Sequence, residues 1–234
     1  CSVQAAIGAV NAVAFDISAA CAGFIFAMNI VEGFFKAGIY KTALIIGAET
    51  LSKVTDWSDR GTCVLFGDGA GAAVLKAEET GIIDMMMGAD GTKGDVLACT
   101  SRTVGNFLTG TKPELGFMTM DGQEVFKFAV RKVPESVMEL LQRTGTKKED
   151  IKYYVLHQAN ERIIEAAARR LKEPMEKFPM TISQFGNTST ASIPLLLDDM
   201  IRKDMLKKGD KIIMSGFGAG MTWGAVLKIG RAHV

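Results

Sequence analysis

A thiol, an imidazole and a carboxamide stand in this chain in settings suited to acyl transfer. Cys21 lies in the run Phe15-Asp-Ile-Ser-Ala-Ala-Cys-Ala-Gly-Phe24. An apolar, strand-like stretch (Ala12 to Ile17) runs there into a turn of small residues. A helical pattern follows, with Cys21, Phe24, Ile25, Met28, Val31 and Phe35 at three- and four-residue steps. A thiol at such a junction meets unpaired N–H groups and the positive end of the helix dipole, which favour thiolate. His157 ends the strand-like run in Tyr153-Tyr-Val-Leu-His-Gln-Ala-Asn160. α/β folds place catalytic groups at such C-terminal strand ends. Asn187 sits in the turn Phe185-Gly-Asn-Thr-Ser-Thr-Ala-Ser192, which opens another amphipathic helix through Leu195, Leu196, Met200 and Ile201. Nucleophile, ring nitrogen and amide at three strand ends or helix starts form a thiol-based acyl-transfer set.

Each residue alone has a plainer reading. Free Cys is often an inert buried hydrophobe. A structural His satisfied by a backbone partner is common, and Asn in a Gly-Asn-Thr-Ser turn usually caps or turns the chain. The joint occurrence favours chemistry.

The elements that hold the three residues read as two copies of one unit. In the first, the Cys21 turn opens a helix to about Ala37. A strand (Ala43 to Ala48), the Gly-rich Gly67-Asp-Gly-Ala-Gly71 and a strand Ala72–Lys76 follow. In the second, the Asn187 turn opens a helix to about Met205. A strand (Lys211 to Ser215), Gly216-Phe-Gly-Ala-Gly220 and Gly224–Lys228 follow. The second copy has extra material in front: a helix from about Gln123 to Arg143, the strand before His157, and a helix from about Glu161 to Leu171. Strands alternating with helices imply an α/β architecture with largely parallel sheets. Both glycine loops resemble phosphate-binding loops, but β-type runs follow them where a dinucleotide fingerprint needs a helix.

Lys and Arg number 27 against 26 Asp and Glu, so charge gives no case for nucleic acid or a membrane surface. Polar residues interrupt every apolar stretch before a membrane span of about twenty residues is reached. Cys1, Cys21, Cys63 and Cys99 show neither disulfide-scaffold nor metal spacing. Free thiols with no signal peptide point to a reducing cytoplasm.

The runs around Cys21, His157 and Asn187 resemble the Cys-His-Asn set of the β-ketoacyl-acyl carrier protein synthase III family, in the thiolase-like superfamily. Further matching stretches are Asp59-Arg-Gly-Thr62, Phe66-Gly-Asp-Gly-Ala-Gly-Ala72, Gly122-Gln-Glu-Val-Phe126 and Gly216-Phe-Gly-Ala-Gly-Met-Thr-Trp-Gly224. The resemblance implies a thiolase-like α/β fold: two duplicated halves in a five-layered α-β-α-β-α arrangement, the first half incomplete. On that reading residues 1–80 are the remainder of the N-terminal half, 81–116 a linker region, 117–229 the C-terminal half, and 230–234 a non-native tail that leaves His233 without a role. If the duplication holds, roughly 70 to 90 residues precede Cys1 in the parent protein, and the shortened form is expected to be compromised.

The resemblance also implies a mechanism. Cys21 takes a short acyl group from acyl-CoA, then condenses it with malonyl-acyl carrier protein as carbon dioxide leaves. His157 and Asn187 donate to the enolate oxygen, and the N–H groups of Cys21 and Ala219 form the oxyanion hole. Arg60 contacts the nucleotide end of coenzyme A. Gly122, Phe126, Ala159 and Asn160 line the pantetheine path, Leu65 and Phe66 shape the acyl pocket, and Arg162 belongs to a basic patch for the carrier protein. No metal and no organic cofactor is implied, because coenzyme A arrives as a substrate thioester. The expected assembly is a cytoplasmic homodimer, with no nucleic-acid or membrane partner. A type III polyketide synthase, a hydroxymethylglutaryl-CoA synthase, and a non-catalytic assembly subunit or inactive fragment are the alternatives. The glycine runs Gly67–Ala72 and Gly216–Gly224 favour the synthase III family over these.

Overall fold

The computed structural model describes residues 1–99, 105–113 and 116–229; the expected non-native tail at 230–234 lies outside them. The helices are α1 (Ser2–Ala6), α2 (Gly23–Lys36), α3 (Gly122–Thr144), α4 (Glu161–Leu171), α5 (Ile182–Phe185) and α6 (Ser192–Arg202). The strands are β1 (Thr42–Glu49), β2 (Gly69–Lys76), β3 (Ile82–Ala89), β4 (Leu97–Cys99), β5 (Met118–Met120), β6 (Ile151–Leu156), β7 (Lys211–Gly218) and β8 (Thr222–Ile229).

Local sequence explains the helix ends. Asp121 accepts from the backbone N–H groups of Gln123 and Glu124 and so starts α3, which stops at Gly145 in the left-handed region at φ 63°. Asn160 caps α4 in the same way through the N–H of Arg162. Short 3₁₀ turns precede two buried helices: Ala20–Ala22 leads into α2, and Ser189–Ala191 leads into α6.

One sheet runs in the order β3-β8-β7-β6, and β1 and β2 form a second. Among the described residues only the strand pair β6–β7 is parallel; β7–β8, β3–β8, β1–β2 and β4–β5 are antiparallel. The expectation of largely parallel sheets is therefore corrected. β7 and β8 are joined by three residues, a link far too short for the crossover that parallel pairing needs. The stretch 81–116 is also more than a connector. It supplies β3, an edge strand of the larger sheet, and β4, which pairs with β5.

The apolar run Ala12 to Ile17 is not a strand here: among the described residues it pairs with no other segment, and Val13, Phe15 and Ile17 are exposed. Alternating apolar side chains make a strand only where a neighbour satisfies the backbone groups.

The layers follow from two cores. One packs α3 and α4 on the larger sheet through Phe128, Val137, Leu140, Tyr154, Ile164, Leu171 and Ile213. The other fills the space between the two sheets with α2 and α6, through Phe24, Ile25, Met28, Ile45, Ile193, Leu196, Met200 and Met214. Each such side chain contributes about 1.5–3 kcal/mol on burial. The order is thus α-β-α-β, with α2 and α6 as the sandwiched pair. β7, at the centre, is buried from Ile212 to Gly218. The far face of the small sheet exposes Leu44, Ile46 and Val74.

Candidate active site

Cys21 sits in the turn before α2 and is buried, with a relative exposure of 8%. Ala20, just before it, has φ 45°, so the chain enters the turn in a left-handed kink. Two hydroxyl contacts pin this kink: Thr190 Oγ1 donates to the Ala20 carbonyl at 2.7 Å, and Thr222 Oγ1 donates to the Ala19 carbonyl at 3.1 Å. From below, β7 presses on the backbone. A Cβ at Gly218 would lie 2.5 Å from the Cys21 nitrogen, so only glycine lets the strand come this near. Ala219, the expected oxyanion donor, is the next residue, half-buried.

The thiol does not behave as the helix start alone suggests. Burial pushes its pKa from 9.0 up to about 11, and the carboxylate of Glu49 adds to the rise. The Ser189 hydroxyl and the local N–H act the other way but lose. Helix-end electrostatics amount to about 2 kcal/mol even when partly buried, and complete desolvation outweighs that. At neutral pH the Cys21 side chain is therefore a thiol.

His157 follows β6 directly, 2% exposed, and its backbone N–H donates to Ser215 of β7 at 2.8 Å. Its ring meets Phe217 edge-on at 5.5 Å between centroids, and Nδ1 lies 2.7 Å from Ser192 Oγ at the head of α6. Burial lowers its pKa from 6.5 to about 3, so the ring is neutral at physiological pH.

Asn187 is buried too. Its N–H donates to Leu65 at 2.8 Å and its carbonyl accepts from Gly67 at 2.9 Å. Oδ1 accepts from Ser189 N–H at 2.9 Å, which leaves Nδ2 as the donor end without a protein partner among the described residues. Gly67 is required here: a Cβ would stand 2.1 Å from the Phe185 carbonyl oxygen.

One turn thus joins the set. Within 187–192, Thr190 holds Ala20, Ser192 holds His157, and Ser189 donates to Glu49. Sequence reasoning missed these serines and the threonine as functional groups, and missed Glu49, whose Oε1 accepts from Ser189 Oγ at 3.1 Å. Ser189 is also held at φ 50°, a conformation an L-residue adopts rarely.

The other expected residues fall into groups. Leu65 and Phe66, half-buried, adjoin Asn187, and Phe66 forms a parallel bridge with it. The Arg162 guanidinium lies over the Phe126 ring at 5.8 Å, tying α4 to α3. Gly122 opens α3, and Ala159 and Asn160 precede α4. Arg60 stands exposed in the turn after β1, apart from these contacts. A cavity of about 440 Å³ is lined by Ala48, Glu49, Thr50, Asp68, Gly69 and Ala70 and so adjoins Ser189 through Glu49. A larger one of about 510 Å³ lies at the opposite end of β6 and includes none of the candidate residues.

Strands, not helices, follow both glycine loops, at β2 and β8. Among the described residues no group of three or more His, Cys, Asp or Glu could hold a metal ion, and no helix is long and apolar enough to cross a membrane.

Two family models match: 3-oxoacyl-[acyl-carrier-protein] synthase III over residues 15–91 and its C-terminal part over residues 141–228. A β-ketoacyl-[acyl-carrier-protein] synthase III of Clostridium novyi (strain NT) is 53% identical over 229 residues, spanning 97% of this chain and 71% of the relative. That of Clostridium acetobutylicum is 51% identical over 229 residues, spanning 97% and 70%. The crystal structure of 3-oxoacyl-[acyl-carrier-protein] synthase III from Aquifex aeolicus VF5 matches with TM-score 0.89 and 44% identity, over 98% of this chain and 71% of that one.

Proposed function

The chain belongs to the 3-oxoacyl-[acyl-carrier-protein] synthase III family, thiolase-like acyltransferases, and on that premise we propose that Cys21, His157 and Asn187 carry its acyl transfer and decarboxylative condensation. The observation behind the assignment is the turn 187–192, which bears Asn187 and binds the segments of both Cys21 and His157.

Cys21 Sγ attacks the thioester carbon of a short acyl-CoA. The bond to the coenzyme A sulfur breaks, and the thiol proton leaves on that sulfur. The N–H groups of Cys21 and Ala219 face the oxygen that becomes negative. Malonyl-acyl carrier protein then enters and loses carbon dioxide by breaking its terminal C–C bond. The pair left behind is held as an enolate by a ring N–H of His157 and Nδ2 of Asn187. It attacks the acyl-enzyme, and Sγ leaves and recovers a proton. His157 suits this role because it is neutral: it donates without adding a charge that dry surroundings would resist.

Arg60, Gly122, Phe126, Ala159 and Asn160 form the coenzyme A path in this proposal, with Leu65 and Phe66 at the acyl end and Arg162 on the carrier-protein side. The working form is a cytoplasmic homodimer that needs no metal or organic cofactor. The halves divide at residues 1–80 and 117–229, with 81–116 between them.

Mass spectrometry after incubation with acetyl-CoA tests the assignment. An acetyl mass on Cys21, absent from Cys21→Ser, is expected; label on Cys63 or Cys99 overturns it. His157→Ala and Asn187→Ala should still acquire the acyl group yet condense about 10²–10³ more slowly, the loss usual for one such donor.

A further inference from the structure

Ser192 is buried, 2% exposed, at the first residue of α6. Its hydroxyl has two hydrogen-bond partners among the described residues. Gln158 N–H lies 3.3 Å away and can only donate. His157 Nδ1 lies 2.7 Å away and can donate or accept, depending on the tautomer. The hydroxyl carries one proton, and a buried O–H is expected to find an acceptor. Nδ1 is the one acceptor in reach among the described residues. If Nδ1 carried a proton instead, two N–H donors would converge on the Ser192 oxygen and the hydroxyl hydrogen would have no partner.

We propose that Ser192 is a positioning residue that fixes the tautomer of His157, donating to Nδ1 so that the ring proton resides on Nε2. Nε2 has no protein partner among the described residues, so that proton is free for a substrate oxygen. The backbone completes the device. His157 N–H is tied to Ser215 and Gln158 N–H to Ser192, which holds the ring's own strand end against the head of α6. The ring is kept neutral by burial, so tautomer, not charge, decides which nitrogen donates. The role in catalysis rests on the placement of His157 in the proposed site; the tautomer does not.

The test separates the two. The sequence has two histidines, so ¹⁵N labelling of the imidazoles gives a spectrum that His157→Gln assigns at once. At pH 7 the His157 Nδ1 should resonate as an unprotonated, pyridine-type nitrogen and Nε2 as a protonated, pyrrole-type one. A protonated Nδ1 in the unaltered chain overturns the proposal without any variant. Ser192→Ala should shift the Nδ1 resonance, make the Nδ1–H tautomer detectable and slow malonyl decarboxylation about 10-fold, with kcat changed more than KM and acyl loading retained; losing a donor altogether costs 10²–10³. Ser192→Thr, which keeps the hydroxyl, should restore both readouts. Unchanged ring shifts in Ser192→Ala overturn the assignment. An Nε2–H tautomer that depends on Ser192, combined with normal decarboxylation in Ser192→Ala, leaves the tautomer standing and refutes its catalytic use.

Discussion

The hydroxyl of Thr190 donates to the carbonyl of Ala20 at 2.7 Å, joining the turn before α6 to the residue that precedes the candidate nucleophile. Ala20 has φ 45°, where an alanine is uncomfortable, so this bond holds a conformation the chain does not prefer. Thr190→Val keeps the shape and removes the donor. It should cost about 0.5–1.5 kcal/mol in denaturant unfolding, and slow Cys21 acylation more than a surface mutation of equal stability cost does. Equal stability and equal acylation would show that the kink stands on its own.

Gly218→Ala puts a Cβ 2.5 Å from the Cys21 nitrogen. Backbone has to move on one side, and overpacking of this kind costs about 1–3 kcal/mol. Acyl loading should fall at least about 10-fold, because the moved N–H is a proposed oxyanion donor. Quench-flow acylation measures it, and wild-type loading in a fully folded Gly218→Ala rules out that donor geometry.

The Cys21 thiol, pushed up to about 11, should be slow to alkylate at pH 7 beside the exposed Cys1 and Cys99. Its folded pKa is raised, so the neutral thiol favours the folded state below the ordinary value of 9.0, and that advantage is lost as pH climbs from 9.0 toward about 11. Peptide mapping after timed iodoacetamide pulses gives the profile. Fast labelling of Cys21 at pH 7 contradicts the burial argument.

His157 titrates the opposite way. Its pKa falls from 6.5 to about 3, and its ring contacts, Ser192 and Phe217, are uncharged. The unfolded chain binds the proton first as pH drops, so stability is complete above 6.5 and declines toward 3, by about 1.4 kcal/mol per pH unit from this group. His157→Gln should flatten that part of the pH–stability curve. Decarboxylation in the unaltered chain should show no inflection near 6.5; an inflection there in an otherwise stable protein means the ring is more solvated than the structure has it.

Periodicity reads α2, α3, α4 and α6 well, because each buries one stripe against a sheet, and it also finds β1, β6, β7 and β8. β3 is less visible. Its Met85-Met-Met87 run lacks the alternation of a half-buried strand, and it gains its place only by pairing with β8. The strand reading of Ala12 to Ile17 fails for the converse reason: the pattern is present and the partner is not. Sheet direction follows from connection length, which the helix–strand alternation hides. At the site, Cys21, His157 and Asn187 are legible as residue types in marked contexts. Ser192 and Ser189 are not, since their roles depend on Nδ1 of a residue 35 positions away and on a carboxylate 140 positions away.

The turn 187–192 gives the candidate groups a common frame of reference on one side, and β7 gives them a second. Thr190 and Ser192 tie the turn to the Ala20 and His157 segments, while Gly218 abuts the Cys21 backbone and Ser215 accepts from the His157 N–H. The spacing of the three groups is therefore triangulated: each of the two segments is located from the helix side and from the strand side, and a displacement of either support registers as strain in a short link.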